Sequence, residues 1–438
     1  VTERSVILTH LRVVAIALPI VLSNATVPIL GAVDTGVIGQ MGSAAAIGAV
    51  GIGAVILSAI YWIFGFLRMG TTGLAAQAVG GDDRDELAAI LSRALLIGGT
   101  AGILLLAVQV PLFAVALRIS PASSEVEAMA SEYLSIRIWA APFAIALFGI
   151  TGWLIAQERT RAVLAIQLWM NGLNVGLDLY FVLGLGWGVP GVAFSTAVAE
   201  VSGFALGLWF CRDVFRGKAW RDHTQVFDRV RLTIMARVNG DILIRSVLLE
   251  AIFVSFMFTG AGIGTAELAA NQILLQFLNI TAYALDGFAF AAEALVGQAM
   301  GARARNALRR AAVMASLWGG GISVVLAVSF WVLGPWIIGV MTTAPEVRGV
   351  AGEYLGWMVA APVVGVAAWM LDGIFIGATR TRDMRNMMAV SAAVFFAAMP
   401  VFTMAWGNHG LWAAMHLSFV ARAVTLGWKY PGLERAAA

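Results

Sequence analysis

An all-α integral membrane protein, with twelve transmembrane helices in two six-helix lobes related by a pseudo-twofold axis, is the fold that three observations predict. The 438 residues are 60% hydrophobic and only 12% charged, with a mean hydropathy of +0.87. Apolar runs long enough to cross a bilayer recur along the whole chain, and the second half repeats the first at a spacing close to 221 residues. A soluble domain carries about 25% charged residues, so this chain lacks the polar surface to cover a globule. The same arithmetic excludes disorder, coiled coil and nucleic-acid binding.

A spanning helix needs about 20 mostly apolar residues. The first six runs cover 12–40, 46–72, 90–117, 132–156, 162–184 and 190–211. The first contains Pro19, Pro28 and Asp34 and has no small-residue cleavage site, so it reads as a retained span, not a signal peptide. A polar stretch follows, and six more runs cover 238–260, 267–297, 311–341, 352–377, 387–406 and 410–428. The chain divides into an amino-terminal lobe (1–211), a cytoplasmic linker (212–237) and a carboxy-terminal lobe (238–438), with no separate soluble domain.

Basic residues give the orientation. The amino-terminal segment, the linker and every second loop hold 23 of the 28 Lys and Arg residues, Arg4 and seven linker residues among them; the opposite side has only Arg118 and Arg348. Arg68, Arg137 and Arg245 lie within spans. By the positive-inside rule both termini and the linker are cytoplasmic, and the net charge of +3 is topological, not a binding patch.

The repeat is visible in several segments. Gly73–Gly81 aligns with Ala294–Ala302, pairing Gln77 with Gln298 and Gly80 with Gly301; Ser124 onward aligns with Pro345 onward, and Arg159-Thr-Arg with Arg380-Thr-Arg. Six spans separate equivalent points, so the halves share one orientation, as in transporters built from parallel repeats.

Ionisable groups inside the membrane cost at least about 2.5–3.5 kcal/mol each and need a reason. Asn171, Asn174 and Asp178 share one face of span 5. Asp178 and Thr196 stand at equal distances on either side of the span 5–6 turn, roughly 13 Å deep, and Asp34 lies near 10 Å deep on span 1. Three helices thus bring oxygen ligands to one level, with Pro28 loosening span 1 just before Asp34. Two carboxylates with Asn and Thr oxygens suit either Na⁺ or H⁺; the other reading is that the polar groups bind neighbouring helices together. In the second half Asp241 and Arg245 have the spacing of an intrahelical ion pair, Asp286 and Glu293 share a face of span 8, and Asp372 lies on span 10. These form a candidate substrate-binding anionic wall or an internal charge network. Cys211 is the lone cysteine, and the four histidines show no metal-site spacing, so no metal or other cofactor is expected beyond a coupling ion, H⁺ or Na⁺.

These residues resemble the multidrug and toxic compound extrusion (MATE) transporters over essentially the whole chain. The shared motifs are Pro28 to Asp34-Thr-Gly, Asn174-Val-Gly-Leu-Asp178 and Gly188 to Thr196; the segments Asn239–Arg245 and Ala284–Gly297 resemble the DinF-like branch in particular. The resemblance implies no enzyme. It implies a secondary antiporter in the inner membrane of a prokaryote, a monomer exporting small cationic or amphipathic compounds in exchange for H⁺ or Na⁺. It also implies that Asp34, Asn174, Asp178 and Thr196 form the cation-coupling site. Where relatives place an asparagine on span 4 this chain has Thr151 or Gly152; one amide ligand fewer weakens a Na⁺ cage more than a proton relay and favours H⁺. The alternatives are a Na⁺-coupled exporter, a lipid-linked precursor flippase and, from another class, a membrane-embedded enzyme, for which no nucleophile–base arrangement is found.

Overall fold

An apolar chain in a bilayer winds into helices because hydrocarbon offers its backbone N–H and C=O groups no other partner. The computed structural model describes residues 8–119 and 122–437, so Arg4 lies outside the described residues. Twelve long helices form among them: α1 (His10–Gly39), α2 (Ala44–Gly80), α3 (Arg84–Arg118), α4 (Ser124–Ala156), α5 (Thr160–Gly184), α6 (Val189–Phe210), α7 (Arg229–Ile263), α8 (Thr265–Gly301), α9 (Arg305–Met341), α10 (Pro345–Gly377), α11 (Thr381–Trp406) and α12 (Asn408–Arg435). The first eleven are long and apolar enough to cross a membrane. Helix α12 has 28 residues and carries the buried polar groups Asn408, His416 and Arg422.

Local chemistry marks the helix starts and the interruptions. Ser43 and Ser123 cap α2 and α4 by accepting from the backbone N–H of Ala46 and Val126. Helix α2 breaks at Phe64, α4 tightens to a 3-10 turn over Ile138–Ala140 just before Pro142, and α5 widens to a π-helix over Leu179–Gly184.

The duplication seen in the sequence recurs in the backbone. Non-glycine residues in the left-handed region pair at an offset of 221: Asp82 (φ 53°) with Arg303 (52°), and Glu158 (61°) with Thr379 (51°). Gly188 precedes α6 at φ 61°, ψ −135°, and Gly407 precedes α12 at φ 56°, ψ −133°. One close approach is duplicated as well. A Cβ on Gly152 would lie 2.3 Å from Arg68 O, and one on Gly373, 221 residues on, 2.6 Å from Ala289 O. Gly152 therefore has no room for an amide or any other side chain.

Two packing units result. One holds Leu22–Ala75 and Asp83–Thr233; the other holds the chain up to Val21, Ala76–Asp82 and Ile234 onward. The second has a core of Phe256, Phe277, Phe395 and Trp412, in which the side chains of Asn271 and Asn408 hydrogen-bond each other reciprocally (2.8 and 2.9 Å) and Trp412 Nε1 donates to Asn271 Oδ1. In the same unit Gly80 abuts the backbone of Gln298, and Gly301 abuts that of Gln77.

Candidate cation-coupling site

In the unit built from Leu22–Ala75 and Asp83–Thr233, polar side chains from α1, α5 and α6 converge. Asp178 closes the α-helical part of α5, at the junction with the π-helix, and is fully buried, as is Asn174 one turn earlier. Single π turns of this kind are frequent at functional sites. Asn174 Nδ2 donates to Thr196 Oγ1 at 2.9 Å and faces Ser195 Oγ at 3.5 Å. Thr196 passes its own hydrogen to Val192 O, 2.9 Å away on the preceding turn of α6. Ser195 Oγ stands between Asp178 Oδ1 and Val192 O, with one hydrogen for two acceptors.

The half-buried carboxyl group of Asp34, from α1, lies within hydrogen-bonding reach of that of Asp178. Two ionised carboxylates at that separation repel strongly, so the contact needs a proton between them or a cation beside them. Asp34 Oδ1, Asp178 Oδ2 and Asn174 Oδ1 are buried and take no hydrogen from any N–H or O–H of the described residues. All four candidates, Asp34, Asn174, Asp178 and Thr196, therefore meet in one cluster. Asn171 stands a turn away, its Oδ1 held by Gln167 Nε2 at 2.9 Å.

Three members of the cluster do not appear among the sequence candidates. Ser195 is the direct partner of Asp178, and its position beside Thr196 at the same depth was the available signal. Arg137 and Glu200 form an ion pair at 3.0 Å with side chains 9% and 13% exposed. Arg137 stands just before the 3-10 turn of α4, its guanidinium 6.0 Å from the Tyr133 ring, and acts electrostatically on both Asp34 and Asp178. Glu200 lies one turn beyond Thr196 on α6. A lone arginine within a span demanded a partner, and that demand pointed to an acid on a neighbouring helix.

The charges of the other unit are arranged differently from the sequence expectation. Asp241 and Arg245 do not pair with each other. Asp241 accepts from Arg385 Nη1 (2.6 Å) and Thr381 Oγ1 (3.1 Å), both on α11. Arg245 instead binds Asp372 on α10, which Arg422 of α12 also approaches, Nη1 to Oδ2, at 3.6 Å. Each side chain thus reaches a partner on another helix, and a link that ties two helices displaces one that only decorates a single helix. Arg422, counted with the loop charges in the sequence, is buried at 3% exposure. Asp241 and Asp372 are therefore matched by three arginines and do not form a bare anionic wall. Glu293 is buried and Asp286 half-buried, both on α8. No cluster of three or more His, Cys, Asp or Glu suited to a metal occurs among the described residues.

Comparison with known proteins adds the family. The MatE family model matches residues 19–180 and 242–401, one stretch in each half of the repeat. The chain belongs to the MatE family. The DNA damage-inducible protein F of Escherichia coli is 38% identical over 421 residues, covering 94% of this chain and 90% of that protein, which places this MATE protein in the DinF branch. A probable multidrug resistance protein NorM of Rhizobium meliloti is 26% identical, covering 71% and 70% of the two chains. Among solved structures, the MATE transporter VcmN of Vibrio cholerae in its bent form superposes with a TM-score of 0.85 at 18% identity, covering 98% of this chain and 97% of that one. A MOP superfamily transporter of Pyrococcus furiosus gives a TM-score of 0.86 at 17% identity, covering 98% and 97%. The MATE protein described here is accordingly a multi-pass membrane transporter of small compounds and not an enzyme, with the two-lobe all-helical fold of its structural neighbours.

Proposed function

We propose that this MATE protein is a proton-driven antiporter that exports cationic or amphipathic compounds, acting as a single chain in the inner membrane with both termini and the linker on the cytoplasmic side. The contact between the Asp34 and Asp178 carboxyl groups carries the reading. A pair so placed holds one proton between its oxygens at little cost, whereas losing it leaves two like charges in a buried pocket. Proton loss therefore favours a rearrangement that separates the pair or admits water, and proton gain favours the closed cluster seen here. Pro28, six residues before Asp34, is the nearest point to it at which α1 lacks a backbone donor and yields readily.

One observation favours Na⁺ instead. The buried oxygens Asp34 Oδ1, Asp178 Oδ2 and Asn174 Oδ1, which accept no hydrogen bond among the described residues, are of the type that ligates a hard cation. Reconstituted transport separates the readings. With a fluorescent organic cation in proteoliposomes, an imposed ΔpH is expected to drive uphill movement and an imposed Na⁺ gradient is not. Asp34→Asn is expected to abolish the ΔpH-driven movement; a variant that still concentrates the cation overturns the proposal.

A further inference from the structure

The linker between α6 and α7 is docked along α3. The buried Arg93 of α3 donates through Nε to Val226 O (2.9 Å) and through Nη2 to Gln225 O (2.6 Å), while its Nη1 meets Glu86 Oε1 at 2.8 Å. Ser92 Oγ donates to Trp220 O at 2.6 Å, and Arg231 reaches Glu86 at 3.3 Å. The 3-10 turns Val214–Arg216 and Ala219–Arg221 and the single-turn helix His223–Val226 are thereby held in place.

This docking leaves a cavity of about 320 Å³, walled by Leu95 and Leu96 of α3 and by Phe215, Trp220 and Phe227 of the linker. The wall is almost wholly apolar and the mouth is open, with Leu96 49% and Phe227 53% exposed. Phe215 stands edge-on to Trp220 at 5.3 Å, which fixes the indole. The indole N–H of Trp220 is buried and finds no acceptor among the described residues. Arg221 lies at the cavity, and residues 212–221 carry four basic groups, Arg212, Arg216, Lys218 and Arg221, against one acid, Asp213. All four basic residues are exposed.

Depth narrows the occupant. Helix α3, with 35 residues, is about 53 Å long, well beyond a hydrocarbon core of about 30 Å. Leu95 and Leu96, about 17 Å from its first residue, stand about 6 Å inside the edge of such a core centred on the helix. An apolar cavity at that level, lined by aromatic rings and Arg221 and followed by further basic residues of the linker, matches an amphiphile with a hydrocarbon tail and an anionic head. We propose that the cavity binds one anionic phospholipid of the adjoining leaflet, an acyl chain against Leu95, Leu96 and Phe227 and the phosphate on the basic groups of 212–221. The proposal goes beyond the transport reading and does not depend on which ion is coupled.

Native mass spectrometry of the full-length protein, titrated with phosphatidylglycerol or phosphatidylcholine of identical acyl chains, tests it. The wild type is expected to retain one phosphatidylglycerol with a preference of about tenfold or more. An R216Q/K218Q/R221Q variant is expected to bring the two lipids to near equality, and Leu96→Trp, which fills the cavity, to lower retention of both. Equal retention of the two lipids by the wild type overturns the proposal, as does an undiminished preference in the triple variant or undiminished phosphatidylglycerol binding by Leu96→Trp. Free glycerol phosphate is expected not to displace the lipid; displacement at lipid-like concentrations marks a simple phosphate site and also overturns it. The wild-type comparison decides even where a variant fails to fold.

Discussion

Arg137 and Glu200 face each other at 3.0 Å inside a membrane-spanning unit, and neither side chain is more than 13% exposed. Such a pair contributes little net stability, yet removing one member strands the other as an uncompensated buried charge. Arg137→Met alone is therefore expected to destabilise the protein by about 3–5 kcal/mol. The double variant R137M/E200Q is expected to recover most of that loss, since no unpaired charge remains. Thermal unfolding of the purified protein in detergent checks this: a single variant as stable as wild type, or a double variant worse than the single, contradicts the pairing. The same logic governs Asp372, which Arg245 and Arg422 both approach. At this scale the sequence shows that intramembrane charges need partners, but not which partners. Asp241 and Arg245 had the spacing for one another, and the rotation of α7 against α10 and α11 sends each to a different helix.

At the scale of elements, the backbone carbonyl of Arg68 occupies the space where any side chain at Gly152 would begin. Gly152→Ala is expected to cost about 1–3 kcal/mol through overpacking, because helical backbone cannot yield as a side-chain tip can. Gly172, on α5, has open space around its Cβ position, and Gly172→Ala is expected to be neutral or to stabilise by up to about 1 kcal/mol from helix propensity. Melting temperatures of the two variants, measured side by side, check the contrast; equal effects contradict the close approach. The spans themselves were largely legible, because a long apolar run in a bilayer has few alternatives to helix. The runs 162–184 and 190–211 end within two residues of Thr160–Gly184 and Val189–Phe210. Helices α3 and α9 begin about six residues before their apolar runs, at Arg84 and Arg305, since helix continues past the hydrocarbon on polar residues. The π turn after Asp178 and the 3-10 turn before Pro142 were not legible, because local hydrogen-bond register leaves no trace in hydrophobicity. The site was legible in its depths, through Asp34, Asn174, Asp178 and Thr196, but not in its full membership. Ser195 and Glu200 sit among apolar neighbours on α6 whose facing cannot be assigned before the helix is packed.

For the whole molecule, the duplicated chain has kept its turns and close approaches while its charges have diverged. Asp82 and Arg303 share a backbone conformation, as do Glu158 and Thr379, yet Asp34 and Asp178 cluster in one unit and Asp241, Arg245, Asp372 and Arg422 in the other. In the reading proposed above, one half holds the coupling ion and the other meets the substrate, and antiport then requires that ion and substrate occupy the protein alternately. Proton release measures that exchange directly. Purified protein in weakly buffered detergent solution, followed with a pH indicator, is expected to release a proton on addition of a transported cation, and Asp34→Asn and Asp178→Asn are each expected to release none. Release that persists in both variants, or that is produced by Na⁺ alone, contradicts a proton held between Asp34 and Asp178.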